Sequence, residues 1–294
     1  MNQPVKSIVE RAPAKINLYL HVTGKREDGY HLLDSLVVFA NDGMAAADEI
    51  TITQSDAYSL RIVGPQSALL QGESHDKNLV TIALRGLASK LGRVAHVDVR
   101  LYKNLPVASG IGGGSADAAA ALRAAAKCWG VNINSEAVVR TAKETGADVM
   151  ACLYNKPCYF SGIGDVIDGV NGLPRTYMVL VNPNVPLATA HVFKARLGDF
   201  SHAARLPSLP NSAEELAAQL SARGNDLQEP AKLLCEPIAD VLSALNAQHG
   251  CLLARLSGSG ATCFGLFARI EDAETAAATI RQLGREWWVA VSGF

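Results

Sequence analysis

No charge of one sign prevails in this chain of 294 residues, where 27 lysines and arginines stand against 28 aspartates and glutamates. That balance removes the basic field by which proteins gather nucleic acid or anionic membrane, so neither is expected as a partner. No apolar run reaches the roughly 18–20 residues needed to cross a bilayer. The opening MNQPVKSIVERAP lacks the apolar core of a signal peptide. Six cysteines (Cys128, Cys152, Cys158, Cys235, Cys251, Cys263) include no C-x-x-C pair, so neither a zinc site nor a disulfide framework is indicated. They read as small buried hydrophobes in a reducing, cytoplasmic setting. With 49% apolar and 19% charged residues the balance is that of an ordinary globular protein, long enough for one large or two medium domains.

What the chain does have is concentrated at residues 105–129, LPVASGIGGGSADAAAALRAAAKCW. Gly110, Gly112, Gly113 and Gly114 lie within five residues and lead into an alanine-rich segment, which predicts a helix from about Ser115 to Gly130. A glycine turn emptying into a helix N-terminus lets backbone N–H groups converge on an anion, and the helix dipole adds to the pull. A phosphate chain suits such a nest. No Lys-Ser/Thr pair follows the last glycine, so this is not the common phosphate loop. No acidic residue sits about 20 residues on, as a dinucleotide site would need.

Around the loop, strands and helices alternate irregularly, which favours an α+β fold. Residues 14–22 alternate with period two and read as a half-buried strand: Ile16, Leu18 and Leu20 face one way, Lys15, Asn17, Tyr19 and His21 the other. Further strands are expected at 36–40, 49–54, 97–103, 177–182, 252–256, 262–267 and 287–291. Helices are expected at 78–91 (through Leu79, Ile82, Ala83 and Leu87), 136–145, 189–197, 213–222, 226–248 and 272–283. Residues 198–212 read as a connecting loop. The glycine-rich stretch 162–172 suggests a boundary between domains at 1–163 and 164–294.

Two charged residues could supply chemistry beside the nest. Lys15 reads either as a solvated charge on a strand or as an ammonium that stabilises a transferring phosphoryl group. Asp148, in GADVMAC, reads either as a turn or cap residue or as the carboxylate that takes a hydroxyl proton. Tyr30, His31 and Phe193 divide similarly between core or surface roles and contact with a base. The second glycine turn, Gly258-Ser259-Gly260, reads as a hairpin or as a loop approaching the phosphates.

Four separated segments combine into a resemblance. PAKINLYLHVTGKREDGYHLLDSL at 13–36, LPVASGIGGGSADAAAAL at 105–122, GADV at 146–149 and LSGSGATCFGLF at 256–267 resemble, in the same order, the motifs of GHMP kinases. The resemblance spans nearly the whole chain. It implies a two-domain fold, with an N-terminal domain like ribosomal protein S5 domain 2, a ferredoxin-like C-terminal domain, and the active site in the cleft between them. It implies ATP as phosphoryl donor with Mg²⁺, and Lys15 and Asp148 as the catalytic pair. Pro106, Val107, Ala108, Ser109, Gly110, Ile111, Gly112, Gly113, Gly114, Ser115 and Ala116 match the ATP phosphate loop, with Lys103 and Asn78 near the adenine.

The segment bearing GYH resembles the family members whose small-molecule substrate carries a cytidine diphosphate, phosphorylated on a methylerythritol 2-hydroxyl in non-mevalonate isoprenoid synthesis. There Tyr30, His31 and Phe193 would hold the cytosine, while Asn17 and Thr189 would contact the alcohol end. Ser115 is the hydroxyl expected nearest the metal. Asp117, in the first helical turn, is expected to point away from the nucleotide or toward hydrated Mg²⁺. The chain departs from the family at Ala108, where glycine is common, and at Ile111, where leucine is common. A monomer or weak homodimer is expected. A homoserine- or mevalonate-type kinase, or a nucleotide sensor without catalysis, would share the glycine loop.

Overall fold

The computed structural model describes residues 7–72, 74–283 and 286–294; residues 1–6, assigned by sequence to the first domain, lie outside them. The chain divides into two compact units, each assembled from separated stretches. One comprises Met1–Ala14, Ala47–Val107 and Gly112–Asn155; the other comprises Lys15–Ala46, Ala108–Ile111 and Lys156–Phe294.

In the first unit, β1 (Ser7–Pro13), β4 (Ala47–Gln54), β5 (Ser59–Val63) and β6 (Val97–Tyr102) form a sheet in the order β1-β4-β6-β5. Only the edge pair β5–β6 is parallel. Its helices are α1 (Leu79–Lys90), α2 (Gly113–Trp129), α3 (Glu136–Thr145) and α4 (Val149–Tyr154). Nearly every alanine of α2 is buried, and such small side chains let its backbone lie close to both the sheet and α1. The helix starts two residues before the expected Ser115. Gly130 ends it in the left-handed conformation, φ +68°, as the C-terminal glycine requires. The expected apolar stripe of α1 is rotated. Val80, Leu84 and Leu87 make a better i, i+4, i+7 row, so they are buried with Ala83 while Ile82 is 42% exposed.

The second unit holds two antiparallel sheets. In one, β2 (Lys15–Lys25), β3 (His31–Phe39), β7 (Cys158–Gly162) and β8 (Val166–Gly169) lie in that order. The glycine-rich stretch read as a boundary carries the turn between β7 and β8. Strand β2 is not half-buried, and its four polar residues do not share a face: Lys15, Asn17, Tyr19 and His21 are all enclosed, and a register shift against β3 between Asn17 and Tyr19 turns Tyr19 and His21 to the side opposite Lys15 and Asn17. The segment 198–212, expected as a plain loop, covers part of the side that bears Tyr19 and His21. The His21 ring takes the carbonyl of His202 (2.9 Å) on Nδ1 and the N–H of Gly224 (3.2 Å) on Nε2. Tyr19 donates to Asp34 Oδ2 (2.9 Å), which also receives the N–H of Ala204 (2.7 Å). Burial first, then Asp34, pushes the Tyr19 hydroxyl well above its usual pKa, so it stays a donor.

The other sheet joins β9 (Tyr177–Asn182), β10 (Leu253–Leu256), β11 (Cys263–Phe267) and β12 (Trp288–Gly293) in the order β10-β11-β9-β12. Helices α5 (Thr189–Ala195), α6 (Ala213–Ser221), α7 (Gln228–Leu234) and α8 (Pro237–Asn246) lie between β9 and β10, and α9 (Ile270–Arg281) precedes β12. Strand–helix–strand–strand–helix–strand in this order is the split-βαβ, ferredoxin-like arrangement that the resemblance implies. The single helix expected over 226–248 is two, because Pro237 lacks an N–H and opens α8 at its first turn. All six cysteines are free. Among the described residues no helix is long and apolar enough to cross a membrane.

Candidate active site

The glycine loop is where the chain leaves the first unit after Val107 and returns to it at Gly112. Gly112 precedes α2 with φ +65°, and no side chain caps the helix; the first helical bond runs from Ala116 N–H to Gly112 O (2.8 Å). The amides of the first turn therefore face no capping side chain, the arrangement by which helix starts receive phosphate. Ser115 is part-exposed in that turn.

Lys103 and Asp117 are not at a surface. Lys103 Nζ, 3% exposed with its residue, pairs with Oδ2 of Asp48 and with Oδ2 of Asp117 at 2.8 Å. Asp117 thus points into the unit. Burial alone would lower the Lys103 pKa, but Asp117 and Asp48 outweigh it and hold the ammonium above its usual value. Burial, then Asp48, raises Asp117 well above the carboxylate range. Asn78 caps α1, its side chain accepting Val80 N–H at 2.9 Å. Asp148 occupies the same position before α4, in a turn, and its side chain makes no capping bond. Among the described residues no three or more His, Cys, Asp or Glu gather to hold a metal ion.

Within the second unit the remaining candidates are tied together. Lys15 N–H bonds Ile111 O (2.9 Å), and Lys15 Nζ lies 5.6 Å from the Phe160 ring centroid. Ser109 O accepts Thr262 N–H (3.1 Å), and Ala108 O accepts Leu187 N–H (3.3 Å). The second glycine turn joins β10 to β11 as a hairpin and also abuts the loop. A Cβ built on Gly110 would lie 2.5 Å from Gly260 N and from Ser257 O. The hairpin reading of that turn holds, and the turn also meets the loop segment itself.

Ser257 Oγ receives Asn17 N–H (3.2 Å), and Asn17 Nδ2 donates to Ser35 Oγ (2.8 Å). Thr189 and Ser259 share a hydroxyl bond of 2.8 Å. His31 stacks on Phe193, centroids 4.9 Å apart at 23°, whereas Tyr30, next to His31 in sequence, is 61% exposed. Burial, then Lys25 and Arg196, lowers the His31 pKa, leaving the ring neutral at pH 7. The contributions of Asp48, Ser257, Ser259 and Thr262 were not legible in the sequence. Asp48 looks like any acid opening a strand, and the others look like turn formers.

A phosphate-type loop running into an alanine helix, together with a ferredoxin-like partner unit, defines a small-molecule kinase class, and comparison agrees. Residues 78–156 match the family model of the GHMP kinases N terminal domain, and residues 206–289 match that of the GHMP kinases C terminal. The chain belongs to the GHMP kinase family. It is 48% identical over 280 residues to the 4-diphosphocytidyl-2-C-methyl-D-erythritol kinase of Paramagnetospirillum magneticum, covering 95% of each chain. A crystal structure of 4-(cytidine 5'-diphospho)-2C-methyl-D-erythritol kinase superposes with TM-score 0.77 at 28% identity, covering 98% of this chain and 100% of that one. Homoserine kinase from Cytophaga hutchinsonii, at 22% identity and TM-score 0.72 over 99% and 96% of the two chains, shares the fold.

Proposed function

We propose that this chain transfers the γ-phosphoryl group of ATP to the 2-hydroxyl of 4-diphosphocytidyl-2-C-methyl-D-erythritol. The observation that carries this reading is the 48% identity to a kinase of that name across 95% of both chains. The tied set Lys15, Asn17, Thr189 and loop 108–111 within one unit supports it.

In this reading Asp148 accepts the hydroxyl proton as the new O–P bond forms and the bond from the γ-phosphorus to the β,γ-bridging oxygen breaks. Lys15 offsets the charge on the transferring group, and residues 106–116 hold the phosphates through backbone N–H groups. Asn78 lies toward the adenine, while the Lys103 ammonium, expected there from the resemblance, is enclosed by Asp48 and Asp117 and is not used. Tyr30, His31 and Phe193 bind the cytosine; the neutral His31 ring presents one donor and one acceptor to its edge. Mg²⁺, when bound with the nucleotide, would supply neutralisation of phosphate charge. The Ser115 hydroxyl is the protein group that would fit beside it, because Asp117 is committed to Lys103. The reaction belongs to cytoplasmic small-molecule metabolism.

The test is ADP release with the cytidine diphosphate substrate, run beside homoserine and mevalonate. Asp148→Asn is expected to keep ATP affinity and lose about 10²–10⁴-fold in kcat, the range for a lost general base. Undiminished turnover in that variant removes Asp148 from the mechanism, and equal turnover with homoserine removes the substrate assignment.

A further inference from the structure

Both ends of the phosphate loop are fastened by one buried charge cluster that the chemistry above does not use. Asp48, at the start of β4, has no exposed surface. Its Oδ1 receives the backbone N–H groups of Asn104 (2.6 Å) and Leu105 (2.7 Å), where the chain enters the loop. Its Oδ2 meets Lys103 Nζ, which reaches across to Asp117 in the first turns of α2, where the chain leaves the loop. A Cβ on Gly113 would stand 3.1 Å from that ammonium, so Lys103 lies directly behind the first residue of the helix. The lysine is itself held by its backbone, with Lys103 N–H on Val63 O (2.7 Å) and Gln66 N–H on Lys103 O (3.0 Å).

Two acids and one ammonium shut away from water are a poor way to gain stability, since well-packed apolar residues commonly do as well or better. What such a cluster does supply is a fixed geometry. Charge-assisted hydrogen bonds are short and directional, and here they fix the distance between Leu105 and Gly113. The Oδ1 of Asp117 is buried with no hydrogen-bond partner, which marks this residue as placed for its link to Lys103 rather than for its own satisfaction.

We propose that Asp48, Lys103 and Asp117 form a positioning cluster that holds the two ends of the phosphate loop at the spacing the nucleotide's phosphates require. The inference rests on the reading that this loop receives ATP. Asp48 and Asp117 are positioning residues, acting through the backbone of residues 104–105 and 113–117.

The decisive variant is Asp117→Leu, which keeps the branching at Cγ, leaves a neutral Lys103–Asp48 pair and cuts the tether to α2. We expect thermal stability to be kept and KM for ATP to rise about tenfold, the effect of roughly one lost charge-assisted bond. KM for the cytidine diphosphate substrate and kcat at saturation should stay as in the wild type. Asp117→Asn keeps an acceptor oxygen for Lys103 and should restore ATP affinity to near the wild-type value, an outcome that bulk stability would not produce. Calorimetric binding of a non-hydrolysable ATP analogue reads the same effect without turnover. A wild type that binds the analogue yet phosphorylates nothing would thus refute the function while the Asp117 arm still decided this point.

A folded Asp117→Leu protein with unchanged ATP affinity, or an asparagine variant as weak as the leucine one, overturns the proposal. Should Asp117→Leu not fold, Asp48→Asn decides. It keeps an oxygen for the two amides but sets a donor against Lys103, so weaker analogue binding is expected and unchanged binding refutes.

Discussion

Two positions in the glycine loop, two residues apart, should respond to opposite substitutions with opposite signs. Ala108 sits at φ +49° and Gly110 at φ +75°, both in the left-handed region. A residue with a Cβ pays about 1–2 kcal/mol there. Ala108→Gly removes that strain, and because the methyl is exposed almost no apolar burial is lost. The added freedom of glycine in the unfolded chain takes back about 0.5–1 kcal/mol. The net is a stabilisation of about 0.5–1 kcal/mol, or roughly 1–2 °C in Tm for a chain of this length.

Gly110→Ala runs the other way. It adds the same left-handed strain and drives a methyl to 2.5 Å from two backbone atoms, Gly260 N and Ser257 O. Backbone cannot swing aside as a side-chain tip does, so an overpacking cost of about 1–3 kcal/mol adds to the strain. The sum, less the entropy gain, is about 2–4 kcal/mol and roughly 3–6 °C. Thermal unfolding followed by circular dichroism reads both, and ADP release at 25 °C reads whether the loop has moved. Activity should be kept in Ala108→Gly and reduced in Gly110→Ala. A lower Tm for the first, or an unchanged Tm for the second, would refute this account of the loop.

Asn78→Ala removes the cap of α1 and should cost about 1 kcal/mol in urea unfolding; if Asn78 also lies by the adenine, KM for ATP rises with it. Arg255 donates to the carbonyls of Leu18 (2.8 Å) and Leu220 (3.0 Å), both buried, and to that of Arg223 (2.7 Å), part-buried. Arg255→Met removes the donor to all three, although Leu220 O keeps the Arg223 N–H (3.0 Å), and should destabilise the protein by about 2–3 kcal/mol in the same assay. For His31, the folded protein resists protonation and its pKa falls below 6.5. The binding contribution of the neutral ring is then complete above that value and lost as pH drops through the lowered one. KM for the cytidine diphosphate substrate should rise on acidification in the wild type, and the rise should be absent in His31→Gln.

The elements readable from sequence were those whose signal is local. Strand β9 and helix α3 have the expected bounds because an apolar run of six, or a 3.6-residue period ended by Gly146, needs no distant partner to be recognised. Strands β1, β5, β7 and β8 escaped: each is short or weakly patterned, and each owes its extension to a neighbour across a sheet. The split of α7 from α8 was missed by the single helix expected over 226–248, although its cause, Pro237, stands in the sequence. Strand β2 shows what periodicity leaves out. Alternation set Lys15, Asn17, Tyr19 and His21 on one face, but a register shift against β3 between Asn17 (opposite Val37) and Tyr19 (opposite Leu36) turns the second pair to the other side, and nothing local told of that shift or that residues 202, 204 and 224 would return to cover Tyr19 and His21.

The same division runs through the site. A nest built from backbone needs glycine where φ is positive and alanine where a helix must lie close, and both requirements are written in the residues that perform them. Charges carry no such mark. Lys103 at the end of a strand and Lys15 at the start of one are indistinguishable by type, yet Lys103 is neutralised by Asp48, 55 residues away, and Asp117. A carboxylate reveals its partner only when the fold brings the two within about 3 Å, because the interaction that decides its role is as short-ranged in space as it is unconstrained in sequence. Functional assignment from motif alone should therefore hold for the phosphate loop and fail first for ionised side chains, which is where kinetic tests of this protein discriminate most sharply.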